Sequence, residues 1–217
     1  QIKTSYYDSL SNYRKVLLQR NTYLKEEIID PSILDIWDMQ LAEYGARVMR
    51  HRSEFIETLN LISSEIHGKI TDGRENLQLK YSPNSDLKDN LYEIIKKSSD
   101  NDIRQRTTTR GPHKDDLEFY IDGINVRSFG SQGQQRTCAL SLKLAEINII
   151  EDETGEKPIL LLDDVMSELD SMRQKFLIKS LEDIQLFITT TEMSDRLLEE
   201  FPEKSIFKVT DGKAEKI

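Results

Sequence analysis

Residues 158–170, PILLLDDVMSELD, indicate the fold class more clearly than any other part of the chain. Its four aliphatic residues, 159–162, predict a strand buried on both faces, because no polar side chain interrupts them. Asp163 and Asp164 follow directly, at the carboxyl end of the strand. Ligands of open α/β sheets bind at that edge, so the two carboxylates mark a candidate site. A buried strand that ends in a solvated acidic turn is the alternative interpretation of this stretch alone.

Helical stretches and short apolar runs alternate around this strand, which is typical of parallel strands joined by helical crossovers. The sequence therefore predicts an α/β fold class. In this part of the chain, the sequence predicts helices over 134–151, 171–181 and 193–201. It also predicts a second buried strand over 186–191 and a last strand over 206–209, which is followed by a turn at Asp211-Gly212.

The N-terminal part predicts a different architecture. Apolar residues recur there at spacings of three and four, and Asp30-Pro31 divides them into two helices. Antiparallel packing of these helices is the simplest consequence. We expect a helical arm over residues 1–75 and a second domain over residues 76–217. Between the helical arm and the helix over 134–151, the sequence predicts a strand over 77–82 and a helix over 89–106. A hairpin follows, with strands over 117–121 and 124–129 on either side of Asp122-Gly123.

Composition limits the functions that fit. The 217 residues carry a formal net charge of −9, the opposite of the basic footprint of a surface that follows a phosphate backbone. Any nucleic-acid contact is therefore expected to be local, or else the basic residues form a solvated helix face. The best local basic patch contains Lys96, Lys97, Arg104, Arg106, Arg110 and Lys114.

The sequence also predicts a soluble, cytoplasmic protein. It has no apolar run near the roughly 20 residues that a membrane helix needs. The single cysteine, Cys138, excludes an internal disulfide and a zinc site built on several thiolates. We therefore expect a reducing compartment and no membrane.

A second candidate site precedes the long helix, at residues 128–137, SFGSQGQQRT. Ser131 is a good N-cap residue, and Gly133 permits close approach of the backbone. The first turn of a helix offers unpaired N–H groups and a positive dipole end, which favour an anion. An ordinary helix cap after a hairpin is the alternative interpretation.

Together these motifs resemble a known family. Residues 131–135 resemble the signature motif of ATP-binding-cassette ATPases, Asp163-Asp164 the end of their Walker B strand, and residues 167–170 their D-loop. With residues 111–117, GPHKDDL, the chain resembles the RecF family of bacterial SMC-like recombination-repair ATPases. The resemblance is close over residues 107–217. It implies the C-terminal half of an ABC/SMC-type P-loop NTPase head, with the helical arm inserted into it.

The resemblance implies a head that dimerises around ATP. Ser131 and Gly133 would contact the γ-phosphate of nucleotide held by the other subunit. Asp163 would hold Mg²⁺ on the nucleotide, and Asp164 would orient or deprotonate the attacking water. Thr191 is the best match to the position that a histidine occupies in ABC transporters. The residues implied to bind the cofactor are Ser131, Gln132, Gly133, Gln134, Ser167, Asp170 and Thr191.

The resemblance also implies partners. It predicts binding of double-stranded DNA near single-strand gaps, action together with RecR and RecO in loading a recombinase, and an ATP-dependent homodimer. The expected location is the bacterial cytoplasm, in association with the nucleoid. DNA replication, DNA repair and the SOS response are the processes implied.

The sequence departs from the pattern of these ATPases in two respects that limit its activity, the missing phosphate-binding loop and the residues at the catalytic positions. It has no GxxxxGK[ST] loop, and Gly68-Lys69 lacks both the upstream glycine and the following Ser or Thr. We expect the chain to be a fragment that neither binds ATP tightly nor hydrolyses it alone. The whole protein is expected to be a weak ATPase, since Asp164 replaces the usual glutamate.

Two other functions compete with this interpretation. The helical arm could dock a partner while the head is a non-enzymatic scaffold. The chain could also belong to another SMC-like ATPase, but an arm of two helices is short for a long coiled coil. His113 is a catalytic candidate as well, with a hydrogen bond to the backbone as its ordinary alternative.

Overall fold

The computed structural model describes residues 4–85, 90–181, 183–190 and 204–217, without the side chains of residues 167 and 168. The chain divides into two compact units, Gln1–Glu156 and Lys157–Ile217, and each is described by itself. The arm and head boundary expected at residue 75 stays a prediction. No helix in these described ranges is long and apolar enough to cross a membrane.

The first unit begins with two antiparallel helices, α1 (Thr4–Tyr23) and α2 (Pro31–Ile70), as predicted. Helix α2 begins where the sequence indicated, because the side chain of Asp30 accepts the N–H of Ser32 at 2.8 Å. Aliphatic and aromatic side chains of both helices pack with side chains of a third helix, Leu91–Gln105, to form a core of this unit. Its buried members include Tyr13, Val16, Leu41, Val48, Met49, Leu91 and Ile95.

A three-stranded antiparallel sheet follows, in the order β1 (Leu77–Ser82), β2 (Asp116–Ile121) and β3 (Ile124–Asn125). Helix α3 (Leu91–Gln105) lies between β1 and β2 in the chain. Asp122 and Gly123 both have positive φ, +50° and +81°, as a two-residue hairpin turn requires. The predicted hairpin turn is therefore confirmed.

The predicted strand over 124–129 is wrong beyond residue 125. Residues Val126–Phe129 form a short helix, α4, because the side chain of Asn125 accepts the N–H of Ser128 at 3.1 Å. A local side-chain cap thus outweighs the β-prone composition of the segment. Helix α5 (Gln132–Thr154) follows, packs against α2, and ends at Gly155 with a φ of +71°.

The second unit contains a parallel pair of strands, β4 (Leu160–Asp163) and β5 (Leu186–Thr189), with helix α6 (Ser171–Ser180) between them in the chain. This is the strand–helix–strand order expected of an α/β fold. A final antiparallel hairpin, β6 (Phe207–Thr210) and β7 (Lys213–Lys216), turns at Asp211-Gly212 as predicted. The helix expected over 193–201 lies outside the described residues.

The expectation that β4 and β5 are buried on both faces is wrong. Leu161 is 73% exposed and Phe187 is 55% exposed. The two residues are partners in the parallel register and lie on the same face. Within the described residues, one face of this strand pair is therefore exposed.

Candidate functional site

Ser131 is the N-cap of α5, as predicted. Its hydroxyl oxygen accepts the N–H of Gln134 at 3.2 Å, and Oε1 of Gln134 accepts the N–H of Ser131 at 3.0 Å. This reciprocal capping box satisfies two N–H groups at the helix terminus. Because the cap uses the hydroxyl oxygen as an acceptor, it does not consume the hydroxyl hydrogen. Ser131 is exposed and so can offer that hydrogen to a ligand.

Gln132 and Gly133 form the first turn of α5 after this cap. The carbonyl of Gly133 accepts a hydrogen bond from the hydroxyl of Thr137 at 2.7 Å. Gln132 is exposed, so the positive end of a helix of 23 residues faces solvent. The structure therefore brings all four predicted residues, 131–134, to one helix terminus.

The other side of the Gln134 amide contacts a residue that the sequence did not indicate. Nε2 of Gln134 donates to Oε1 of Glu75 at 3.1 Å, and Oε2 of Glu75 accepts from Nε2 of His67 at 3.2 Å. The opposite ring nitrogen of His67 lies 3.1 Å from the hydroxyl of Ser141 in α5. The end of α2 is thus hydrogen-bonded to the start of α5. No sequence pattern marks these pairs, because 59 residues separate Glu75 from Gln134.

Asp163 ends β4 next to Thr189, its partner in the parallel register. The hydroxyl of Thr189 donates to Oδ1 of Asp163 at 2.5 Å. The same hydroxyl oxygen accepts the N–H of Asp164 at 3.1 Å. Thr189 therefore fixes the positions of both acidic residues. Sequence reasoning misses it as a site residue, since the strand register cannot be derived from the sequence alone.

Asp164 has a left-handed backbone, with a φ of +50°, directly after β4. Aspartate tolerates this conformation better than most residues. The turn ends the strand and leads into a 3₁₀ helix, Val165–Glu168. Asp164 is exposed, as is Asp163. The two predicted carboxylates are therefore adjacent and accessible at the carboxyl edge of this sheet.

Asp170 caps the next helix. Its side chain accepts the N–H groups of Met172 at 3.1 Å and Arg173 at 3.0 Å, and it also pairs with the Arg173 guanidinium. The Arg173 N–H is the main reason that the pKa of Asp170 lies below its usual value. A contact across a subunit interface stays a prediction for this residue. The Ser167 side chain and Thr191 lie outside the described residues.

Two residues of the basic patch, Lys96 and Arg110, form hydrogen bonds within the chain. Nζ of Lys96 donates to Oη of Tyr92 at 2.8 Å and to Oδ1 of Asp35 at 2.9 Å, and these two contacts raise the pKa of Lys96. Arg110 is exposed, but its guanidinium also donates to the carbonyl of Asn84 at 3.3 Å. The other four candidates are exposed. Lys97 and Arg104 lie on α3, Arg106 directly follows it, and Lys114 ends a 3₁₀ helix over Pro112–Lys114.

His113 has the hydrogen bonds of a structural residue. One ring nitrogen lies 3.0 Å from the carbonyl of Thr108 and must donate to it. The other lies 2.6 Å from Oη of Tyr13, which then donates to the ring. Burial lowers the pKa of His113. The ordinary alternative, a histidine bound to backbone, is therefore confirmed.

Comparisons with known proteins agree with the motifs. No family model matches the chain. A "DNA replication and repair protein RecF" from Lachnospira eligens is 48% identical over 217 residues, which are 98% of the chain and 60% of that protein. A protein of the same name from Lactococcus lactis subsp. cremoris is 51% identical over 214 residues, or 97% of the chain and 58% of that protein.

Solved structures extend the match to the fold. A structure described as the recombination mediator protein RecF-ATP in the RecFOR pathway has a TM-score of 0.88 and 40% identity, covering all of the chain and 59% of that protein. A related RecF structure gives a TM-score of 0.87. The chain thus spans about three fifths of the length of these proteins. Over that part, it belongs to the RecF family in sequence and in its ABC-type α/β fold.

Proposed function

We propose that the chain is part of an ATP-gated DNA-repair subunit in which two copies dimerise around ATP. The observation that carries the proposal is the exposed N-terminus of α5, which Ser131 caps. Support also comes from the relatives, whose names and descriptions include DNA replication and repair and, for one structure, ATP.

The chemistry of the α5 terminus fits the γ-phosphate of ATP. A phosphate is an anion that accepts hydrogen bonds, and the terminus offers backbone N–H groups, a positive dipole end and the hydroxyl hydrogen of Ser131. Gly133 lacks a side chain, so it leaves room for a phosphate near the backbone. In the proposal, this terminus binds the nucleotide that the other subunit holds. Ser131, Gln132, Gly133 and Gln134 are the residues involved.

The edge of the β4–β5 sheet fits the magnesium ion that accompanies ATP. Mg²⁺ prefers oxygen ligands and is usually held by one or two carboxylates, with water and phosphate completing the shell. Asp163 presents such a carboxylate, and the described residues contain no larger cluster of His, Cys, Asp and Glu that could form an all-protein cage. Asp163 would hold the ion, while Asp164 would orient the attacking water.

The exposed basic residues of α3 and of the segment that follows it are the proposed duplex contact. Four of these side chains reach solvent: Lys97, Arg104, Arg106 and Lys114. Because the whole chain has a net charge of −9, attraction of the DNA phosphates has to come from such a local group of positive charges. We place double-stranded DNA near gaps on this patch. Loading of a recombinase together with RecR and RecO, and association with the nucleoid, complete the proposal.

ATP-dependent dimerisation tests the proposal. In a full-length protein that carries this chain, Ser131→Arg should abolish ATP-dependent dimerisation by filling the phosphate position, while nucleotide binding by the monomer is kept. Thr58→Arg, the same kind of change on the exposed surface of α2, is the matched control and should dimerise normally. If Ser131→Arg dimerises with ATP as the unchanged protein does, the assignment of Ser131 is wrong.

A further inference from the structure

We propose that Glu75, held by His67, is a positioning residue that fixes the Gln134 amide and, through it, Ser131. The proposal rests on the proposed function, because it concerns how the nucleotide-facing terminus of α5 is kept in shape. The observation that supports the proposal is a continuous series of hydrogen bonds within the first unit. The series runs from α2 through the turn that follows it to the first turn of α5.

Glu75 determines the orientation of the Gln134 amide. A glutamine side chain has a donor end and an acceptor end, and only the acceptor can cap the N–H of Ser131. A carboxylate can only accept, so Glu75 requires the Nε2 end of Gln134 to face it at 3.1 Å. The Oε1 end is then left to face Ser131 at 3.0 Å. Glu75 thus selects the one amide orientation in which the capping box forms.

Glu75 is itself held by a buried histidine. Its other oxygen lies 3.2 Å from Nε2 of His67, which must be the donor. The His67 side chain is fully buried, and its second ring nitrogen lies 3.1 Å from Ser141, two turns further along α5. A buried ring with contacts on both sides has little freedom. Glu75 is therefore fixed between α2 and α5.

The clamp, which is the hydrogen-bonded series His67–Glu75–Gln134, prepares the terminus of α5 for a ligand. Gln134 has several rotatable bonds, and a free side chain of this kind loses entropy when it is ordered. Because Glu75 orders it beforehand, Ser131 and its neighbouring N–H groups keep their geometry before a phosphate arrives. Without the clamp, the capping box would form only part of the time, and each dimerisation event would have to order it.

A reciprocal exchange of the two side chains provides the sharpest test. Gln134→Glu is a mild change at an ordinary capping box, where glutamate is common at this position. Here it places a second carboxylate against Glu75, so we expect ATP-dependent dimerisation to weaken about tenfold. Adding Glu75→Gln restores one donor and one acceptor between the two side chains, and the new amide oxygen can still accept from His67. This double variant should regain most of the affinity.

Amide hydrogen exchange measures the clamp without reference to ATP. In the full-length protein, Glu75→Ala should speed exchange at the amides of Ser131 and Gln134 by roughly threefold or more, because the capping box opens more often. Glu65→Ala removes an exposed ion pair with Lys69 near the same end of α2 and is the matched control. It should leave both amides and dimerisation unchanged.

The outcomes separate this proposal from the proposed function. If the double variant dimerises no better than Gln134→Glu, or if Glu75→Ala leaves exchange at Ser131 unchanged, Glu75 is not a positioning residue. Ser131→Arg is measured alongside. If that variant still dimerises with ATP, the proposed function fails, and the exchange rates alone then decide whether the clamp exists.

Discussion

Arg20 of α1 donates from its guanidinium to Oδ2 of Asp102 in α3 at 2.8 Å, and both side chains are fully buried. The same guanidinium donates to Asp38 of α2 at 2.7 Å and to the hydroxyl of Thr108 at 2.8 Å. One cation therefore ties both helices of the N-terminal pair to α3 and to the segment that precedes His113. The N-terminal helices are part of one polar network with the rest of this unit.

Removing the cation from this network should be costly. Arg20→Met leaves the carboxylates of Asp38 and Asp102 buried without their partner, and we expect the free energy of unfolding to fall by about 3–5 kcal/mol. Arg47→Met is the control, because Arg47 forms only exposed contacts, an ion pair with Glu43 and a contact with the Tyr44 ring. The change should lower stability by less than about 1 kcal/mol. Urea unfolding followed by circular dichroism measures both. Equal stabilities of the two variants would contradict the structural role of Arg20.

Gly111 should not tolerate a side chain. Its φ is +120°, and an added Cβ would lie 2.6 Å from Oη of Tyr13. We expect Gly111→Ala to destabilise the protein by about 1–3 kcal/mol, because the backbone would be strained at this φ and the hydrogen bond between Tyr13 and His113 would be lost. We expect the opposite effect for Gly68→Ala. Gly68 lies in helix α2, and no atom lies within 4 Å of an added Cβ, so the change should stabilise the protein by about 0.5–1 kcal/mol. Thermal unfolding measures both signs, and a stabilising Gly111→Ala would refute the argument.

His113 should make stability depend on pH. Burial lowers its pKa in the folded state from the usual 6.5, so the unfolded chain binds more protons just below that pH. The free energy of unfolding should therefore decrease as the pH falls from about 7 towards 5. His113→Gln keeps a donor and an acceptor but cannot take up this proton. The variant should lose stability less steeply over that range, and an unchanged slope would rule out this contribution.

The salt dependence of duplex binding tests the basic patch. Combined Lys97→Ala, Arg104→Ala and Arg106→Ala should weaken binding and reduce the slope of log affinity against log salt by about 0.9 for each phosphate that is no longer neutralised. Lys96→Ala is the control, since Lys96 already pairs with Asp35 and should change the slope little. Binding to a gapped duplex at several salt concentrations gives the slopes. Equal slopes would move the DNA-binding surface elsewhere.

The sequence predicted those features that local patterns control. The break at Asp30-Pro31, the cap at Ser131 and the turn at Asp122-Gly123 all depend on side chains within a few residues, and all are confirmed. The helical end of the predicted strand over 124–129 was missed for a similar local reason. There, the cap by Asn125 competes with a β-prone composition that the sequence signals more strongly.

The contacts between distant segments could not be predicted in this way. Thr189 beside Asp163 depends on the register of two parallel strands. Glu75 beside Gln134 depends on how α2 packs against α5. The exposure of Leu161 depends on which elements lie next to β4, which four aliphatic residues do not encode. Each of these is a property of tertiary packing and not of a local pattern.

In the proposed dimer, Ser131 contacts the nucleotide held by the other subunit, whereas Asp163 acts on the nucleotide held by its own subunit. The most direct test mixes two full-length variants that should each lack turnover, Ser131→Ala and Asp163→Asn. Ser131→Ala removes the hydroxyl hydrogen without filling the phosphate position, so this variant still dimerises. In a mixed dimer, one site combines the intact Asp163 of one subunit with the intact Ser131 of its partner. With random pairing, ATP turnover should recover to about one quarter of the unmutated level. If the mixture stays as inactive as either variant alone, Ser131 does not act across the interface and the proposed dimer is wrong.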